Sequence, residues 1–499
     1  MSERDPVVVG VGQWSERRED PAAAASPVEI LASAARRAAD DAGAGKALLE
    51  ALDTLAVVQV TAWPMRDAPG LVADALGVEP ARRITTSIGG NTPTLLVNRL
   101  AREIAAGRCD AALVAGCDVF YSMLRARRRG VKLDWPIGGD GRSERIGDDS
   151  SPLLDVEKRH GLVAPSSVYP LFENAWRARH GWSLDEHRRR LGALLAPMTE
   201  VAAANPYAWF PVRRSADEIA TPTPANRMVA FPYTKYMNAV LAVDQGAAAI
   251  LCSRARARAF GIRDARMVSW WGGGDAKEEP WSVVERPDLA RSPGVARSGG
   301  AAFAEAGIAI GDVEHLDLYS CFPCAVQLAR DALGIADDDP RPPTLTGGLP
   351  YAGGPGNAYT LHSLARAVER LRAAPGTRAL VTGVGWFLSK HSAAVLASAP
   401  RPAGAPPIGS IAVAPAAAAP VALAAAADGA GTVETYTVLF DREGAPTRGI
   451  VLARLADGRR AVANTPADRA LLEAFAAQEQ IGRPGRLRAG EGVQLFDPT

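Results

Sequence analysis

The sequence predicts an α/β protein assembled from two copies of one unit, interrupted by a long insertion and followed by a small α+β domain. Three observations predict it. Short β-branched strands alternate with amphipathic helices, which is the grammar of α/β folds. A motif near residue 90 returns near residue 356, with the same kinds of element behind it. The 499 residues include 47% hydrophobic and 22% charged side chains, an ordinary globular balance over a length that fills more than one core.

In chain order, Val7 to Val11 reads as a strand, Val28 to Ala42 as a helix and Thr54 to Val60 as a strand. A helix from about Thr94 to Ala106 follows, then the strand Ala111 to Ala115. Small apolar residues run around most of that helix, so it is expected to be buried between layers. The echo begins here. Gly90-Asn91-Thr92-Pro93-Thr94-Leu95 is matched by Gly356-Asn357-Ala358-Tyr359-Thr360-Leu361. Each copy leads into an Arg-rich helix and then a near-identical strand, Ala112 to Gly116 and Ala379 to Gly383. Between the copies, residues 120–233 carry Arg125-Ala126-Arg127-Arg128-Arg129 and several Pro-bounded segments, which predicts an insertion with its own helices. Such insertions often hold ligand contacts over a rigid scaffold. Glu314 to Cys324 reads as a strand entering a cysteine-bearing turn, with the helix Ala325 to Leu333 beyond it. Residues 400–431 form a Pro/Ala/Gly linker. The tail resumes with strands Thr432 to Phe440 and Gly449 to Leu455 and a helix from about Pro466 to Gln478.

Charge and cysteine usage narrow the function classes. With 56 basic against 55 acidic side chains, no nucleic-acid partner is expected. The strands of the tail would suit an OB-like module, but they lack a basic-aromatic platform. Five cysteines do not make a disulfide framework, and no basic segment followed by an apolar stretch opens the sequence, so a cytoplasmic location is expected. The longest charge-free stretch, Ile411 to Ala427, is mostly Ala with Pro415 and Pro420, and no membrane span is expected. The six histidines show no metal-ligand spacing, so no metal is expected. Walker, dinucleotide-binding and GxSxG patterns are absent from the sequence.

Chemistry could gather at the two motif loops. Gly89-Gly90-Asn91-Thr92-Pro93 leads into the buried helix, where unpaired N–H groups and a positive dipole end suit a carbonyl oxygen or an anion. Gly353-Gly354-Pro355-Gly356-Asn357 stands at the equivalent place, and in a pseudo-symmetric fold both helix starts converge on one site. The plainer alternative is that the glycines permit close packing and each Asn caps its helix. Cys321, beside a helix start, is a possible nucleophile provided it is exposed, and otherwise a packed structural cysteine. The spacing Cys321-Phe322-Pro323-Cys324 permits a redox dithiol, but thioredoxin-like context is missing. His362 and His391 are candidate general bases, with structural roles as the alternative.

With the duplication, the insertion and Val243-Asp244-Gln245-Gly246-Ala247-Ala248-Ala249-Ile250-Leu251 in view, the chain resembles the thiolase superfamily from residue 6 to about 398. Members of that superfamily carry an NDGAAAL-like segment at this place. Phe231-Pro232-Tyr233-Thr234-Lys235-Tyr236-Met237-Asn238 and the tail look most like the thiolase-like protein type 1 group, often labelled acetyl-CoA acetyltransferases. The resemblance implies duplicated halves in a five-layer αβαβα fold. Residues 1–119 and 234–262 would form the N-terminal half, and 263–399 the C-terminal half. The loop domain would be 120–233, the linker 400–431 and the additional C-terminal domain 432–499.

Thiolases use a nucleophilic Cys at the first helix start, a His in a GHP motif, a proton-transferring Cys in a CxG motif, and an Asn or His in NEAF or HDCF. Here the nucleophile position falls at about Gly90, GHP reads Gly353-Gly354-Pro355, and CxG reads Gly383-Val384-Gly385. HDCF becomes Tyr319-Ser320-Cys321-Phe322. The resemblance thus implies a protein that binds coenzyme A or acyl-CoA without ordinary thiolytic activity and without a covalently bound cofactor. Its cleft would be made by Gly89, Gly90, Asn91, Tyr319, Phe322, Gly354, Gly356 and Asn357. Arg125, Arg127, Arg128 and Arg129 would meet the phosphates of coenzyme A. Two rival readings stand beside this one. The first is an active acyltransferase with a displaced nucleophile, Cys321 before Ser87. The second is a scaffold or subunit whose tail docks a partner protein, as in thiolase-like proteins that work with small companion subunits.

Overall fold

A helix begins where a side chain can cap it, and Ser26 does this within the predicted first unit: its hydroxyl accepts from the Glu29 N–H at 3.2 Å while Glu29 reaches back to the Ser26 N–H at 2.7 Å. With Pro27 at the first position and Gly43 left-handed after the last, the helix runs Pro27–Ala42. The computed structural model that carries this helix describes residues 2–416 and 418–499. Met1 and Ala417, the latter inside the expected linker, lie outside the described residues.

In chain order the strands are β1 (Pro6–Ser15), β2 (Thr54–Val57), β3 (Arg82–Thr86), β4 (Ala111–Val119), β5 (Glu144–Ile146), β6 (Met228–Ala230), β7 (Tyr233–Thr234), β8 (Asp244–Ser253) and β9 (Val268–Lys277). They continue as β10 (His315–Asp317), β11 (Arg378–Gly385), β12 (Lys390–Ala397), β13 (Gly429–Phe440), β14 (Pro446–Arg454), β15 (Arg460–Asn464), β16 (Pro484–Ala489) and β17 (Gln494–Pro498). Among the described residues, the large sheet has the order β10-β11-β12-β9-β1-β8-β4-β2-β3-β5.

That order contains the duplication. β2 lies parallel to β4, which is antiparallel to β8, which is antiparallel to β1. In the same sequence, β10 lies parallel to β11, β11 antiparallel to β12, and β12 antiparallel to β9. The halves meet where Val7 and Val8 pair with Ser269 and Val268. The echoed helices, Thr92–Ala105 and Tyr359–Ala373, fill the space between the halves, and Leu96, Val97 and Leu100 share one core with Leu361, Leu364 and Val368. Helices Pro27–Ala42 and Ala68–Leu76 cover the outer face of the first half, and Pro293–Ala306 and Pro323–Leu333 that of the second. The result is the five-layer αβαβα arrangement. Strands covered on both faces read as continuous apolar runs, as β4 does: Leu113 and Ala115 face outward while Ala112 and Val114 face the central helices. The outer helices press closely on the sheet at two glycines in equivalent strands. A Cβ at Gly10 of β1 would stand 1.9 Å from Ala38 O, and one at Gly274 of β9 would stand 2.0 Å from Ser298 O.

The insertion forms its own helices, the longest being Pro165–Arg179 and Leu184–Ala204. The tail is more than a loose α+β appendage. β13 to β17 close on themselves, because β13 pairs with β14, β14 with β15, β15 with β17, β17 with β16, and β16 with β13. With helix Arg469–Ala477 between β15 and β16, this is a small OB-like barrel. It is not free-standing: β13 also pairs with β6 of the insertion through Leu439 and Ala230. The face of β14 and β15 that carries Ile450, Leu452 and Val462 is packed in one core with Phe172 and Trp176 of the insertion. The second half of the expected linker is held as well, with Ala424 buried and its N–H donating to Arg460 O at 2.8 Å.

Candidate functional site

The two echoed helix starts open onto one cavity of about 380 Å³ at the centre of the duplicated body. Gly89 and Gly90 line it from the first loop, Gly356 and Asn357 from the second. Asn357 joins them. Its Oδ1 accepts from the Gly89 N–H at 2.8 Å, while its Nδ2 donates to Gln59 O at 2.8 Å and Thr61 Oγ1 at 3.1 Å. Tyr319, Cys321 and Phe322 line the cavity beyond β10, Val384 and Trp386 at the end of β11, and Tyr169, Asn238 and Leu241 from the insertion and its exit. The other lining residues are Thr61, Ile88, Phe120, Ala164, Pro165, Ser166, Ala239 and Leu349, so no Asp, Glu, Lys, Arg or His side chain faces the cavity among the described residues.

Of the three glycines expected at thiolase side-chain positions, Gly90 and Gly383 are closed by their neighbours, while a Cβ on Gly354 would meet nothing nearer than Leu349 Cδ2 at 3.3 Å. A Cβ built on Gly90 would lie 2.2 Å from Tyr319 Oη and 2.7 Å from Val384 O, so the tyrosine occupies the volume that a cysteine at 90 would need. A Cβ on Gly383, the CxG position, would lie 2.8 Å from Asn91 Cα, again inside contact distance. The Tyr319 ring meets Tyr359 edge-on at 5.6 Å. Burial pushes its hydroxyl well above the ordinary phenol value, so it stands in the cavity as a neutral hydrogen-bond donor.

Several expected residues are placed elsewhere or lack the expected property. Cys321 lines the cavity, but burial pushes its thiol up to about 12 despite the Tyr169 hydroxyl beside it, so it is a protonated thiol, unlike the exposed thiolate a nucleophile requires. Cys324 falls inside helix Pro323–Leu333, its thiol directed at Tyr169 O at 3.6 Å. His362 is turned away from the cavity toward β1, where Nδ1 meets Gln13 Oε1 at 2.8 Å, and burial lowers it to about 4. His391 lies on β12, bonded through Nε2 to Leu388 O and paired with Glu278. Neither histidine reaches the cavity. Ser87 lies behind the loop, fully buried and within 3.4 Å of Lys390 Nζ. Asn91 also points away, donating to Ser392 Oγ at 3.3 Å, and Gly354 is tied to Val240 O at 2.9 Å outside the cavity lining. The basic cluster occupies the far end of helix Phe120–Arg129, about 13 Å from Phe120 at the cavity by helical rise. Arg125 and Arg129 there bond Glu19, and Arg127 and Arg128 are exposed.

Sequence reading missed Tyr169 and Trp386, which form much of the wall. Trp386 (φ 55°) and Leu388 (φ 52°) are left-handed without being glycine, and the Tyr169 hydroxyl donates to Trp386 O at 2.9 Å. It also missed Lys390, which is 4% exposed and donates to Ile88 O at 2.7 Å and Asp148 O at 2.8 Å, pinning the back of the Gly89 loop. A lysine opening a strand whose later residues, Ala393 to Ala397, are small and apolar was the available signal. Among the described residues no cluster of metal-ligating side chains occurs, and no helix is long and apolar enough to cross a membrane.

Two helix starts meeting at one cleft between duplicated halves define a thiolase-fold protein. The comparisons identify the branch. The family model of the thiolase-like protein type 1 additional C-terminal domain matches residues 412–492. A monomeric SCP2-thiolase like protein type 1 from Mycobacterium smegmatis is 35% identical over 99% of each chain, with a TM-score of 0.84. The chain belongs to the thiolase-like protein type 1 family. The Ltp2-ChsH2(DUF35) aldolase shares the fold at a TM-score of 0.61 and 16% identity, over 79% of this chain and 98% of that one. No curated protein matches the chain.

Proposed function

We propose that the cleft binds coenzyme A or an acyl-CoA thioester and does not form an acyl-enzyme. The observation that carries this reading is the Tyr319 hydroxyl, 2.2 Å from where a Cβ at position 90 would be. A nucleophile at that position and the tyrosine exclude each other. A cavity with an apolar wall and a neutral donor suits the carbonyl end of an acyl group. The phosphates of the carrier would remain outside, within reach of the exposed Arg127 and Arg128. The active-acyltransferase reading through Cys321 loses support because its proton is held so tightly.

The test is calorimetric titration with coenzyme A and acetyl-CoA at low and moderate salt, together with an assay for coenzyme A release. Saturable, salt-sensitive binding without release is expected. Sustained release would overturn the non-catalytic part, and absence of binding at millimolar ligand would overturn the whole. A second reading, a subunit that works with a companion chain, draws on the assembly named in the Ltp2-ChsH2(DUF35) aldolase. Leu241, 49% exposed at the cavity, is an apolar side chain that such a companion would cover.

A further inference from the structure

The wall of the cleft formed by Trp386 belongs to a turn closed by one backbone bond, from the Ser389 N–H to Gly385 O at 3.1 Å. Two non-glycine residues within three positions, Trp386 and Leu388, are left-handed, a conformation in which the Cβ of an L residue crowds the following carbonyl oxygen. Such geometry persists only where the surroundings over-determine it. Arg286 supplies the constraint. Its guanidinium, buried beside the Phe172 ring, donates through Nη1 to Phe387 O and Leu388 O, each at 3.0 Å. Nη2 donates to Ser389 Oγ and Trp281 O, each at 2.9 Å, and Nε to Pro280 O at 3.3 Å. Every N–H of the fork is used.

Behind Arg286 stands a residue of the barrel. Arg460 of β15, with no exposed surface, donates through Nη1 to Arg286 O at 2.7 Å and Val284 O at 2.8 Å. Its Nε donates to the Glu434 carboxylate of β13 at 2.8 Å, and Nη2 donates to the other oxygen of the same carboxylate. A second path leads from the same barrel. Asn174 Nδ2 donates to Tyr436 O at 2.9 Å and Thr435 Oγ1 to Leu171 O at 2.7 Å, which anchors the helix carrying Tyr169, whose hydroxyl holds Trp386 O.

We infer that Arg286 and Arg460 are positioning residues of the cleft, so that the C-terminal barrel sets the conformation of the Trp386 wall against which a ligand rests. The claim rests on the binding reading only for its ligand arm. Its primary readout needs no ligand: the full-length chain is labelled with 5-fluorotryptophan, and the ¹⁹F resonance of Trp386 is assigned with Trp386→Phe. In Arg460→Met, with far-UV circular dichroism unchanged, the Trp386 resonance is expected to shift or broaden. The resonance of Trp271, bonded to Ala399 O on the far side of the sheet, should stay in place. Acetyl-CoA affinity should fall about tenfold. Arg286→Lys is expected to move the Trp386 resonance as well, because an ammonium has three donors for five acceptors. If Arg460→Met does not fold, Arg460→Lys and Ser389→Ala carry the same expectation with smaller shifts. An unmoved Trp386 resonance in a folded Arg460 variant overturns the inference. Absence of acetyl-CoA binding to the wild-type chain, with the ¹⁹F shift present, would overturn the function reading alone.

Discussion

Gly90 and Tyr319 are complementary losses and gains at one point in space. The missing side chain at 90 leaves room for a phenol, and the phenol forbids a side chain there. Gly90→Ala is therefore expected to destabilise the protein by about 1–3 kcal/mol through overpacking, measured by urea denaturation. The penalty should shrink in a Tyr319→Ala background, leaving only the contact with Val384 O. Equal penalties in both backgrounds would mean that the tyrosine does not fill this volume. Cys321 offers a second check. With its thiol near 12, the thiolate fraction at pH 8 is about one part in ten thousand. Iodoacetamide should leave it unlabelled in the native protein and label it readily after unfolding, as read by mass spectrometry. Cys321→Ser should leave any coenzyme A release unchanged, and release that the wild type shows and the variant loses would reinstate the thiol in the chemistry.

At the scale of elements, the loop Ser87 to Asn91 is shaped by what holds each side of it. Asn357 crosses from the second helix start and takes the Gly89 N–H, so the two loops are positioned by one amide. From the back, Lys390 at the first position of β12 grips Ile88 O and the loop at Asp148. Burial lowers this ammonium from 10.5 to about 8, against the pull of Asp148 and Asp149. Between those two values the unfolded chain binds the proton and the folded chain does not, so stability contributed by this residue rises with pH across that window. Wild type should gain on Lys390→Met from about pH 8 to pH 10.5 in denaturation midpoint, and parallel curves would place the ammonium in a solvated setting. The pairing of Asn91 and Asn357 in the repeated motif was legible as an echo in sequence. Their divergence was not, because one side chain faces the cleft and the other faces Ser392.

At the scale of the molecule, the barrel is a cover as much as a domain. An OB-like barrel offers the face of its second and third strands to ligands, and here Ile450, Leu452 and Val462 on β14 and β15 are packed against Phe172 and Trp176 of the insertion. Uncovering such side chains costs roughly 1.5–3 kcal/mol each. A chain ending at residue 428 is thus expected to aggregate or elute as a heterogeneous species in size-exclusion chromatography. A monodisperse product with the melting temperature of the full chain would show that the barrel is only appended.

The linear order of residues determined the α/β class, the duplication and the echoed pair of central helices, but not the outer helices Ala68–Leu76 and Pro293–Ala306. What it determined follows from local periodicity, capping and turn chemistry, which act over a few residues: Ser26 and Glu29 cap their helix whatever it packs against. It also set glycines at 90 and 383. Only the tertiary structure decided what fills the space beside them. Tyr319 and Gly90 are far apart in sequence and touch only after β10 and β3 take their places in one sheet. The ionisation of Cys321, His362 and Lys390 was equally beyond the sequence, since each is set by burial against segments distant along the chain. The dependence of the Trp386 wall on Arg460 belongs to the same class, a chain of hydrogen bonds whose members have no sequence spacing to reveal them.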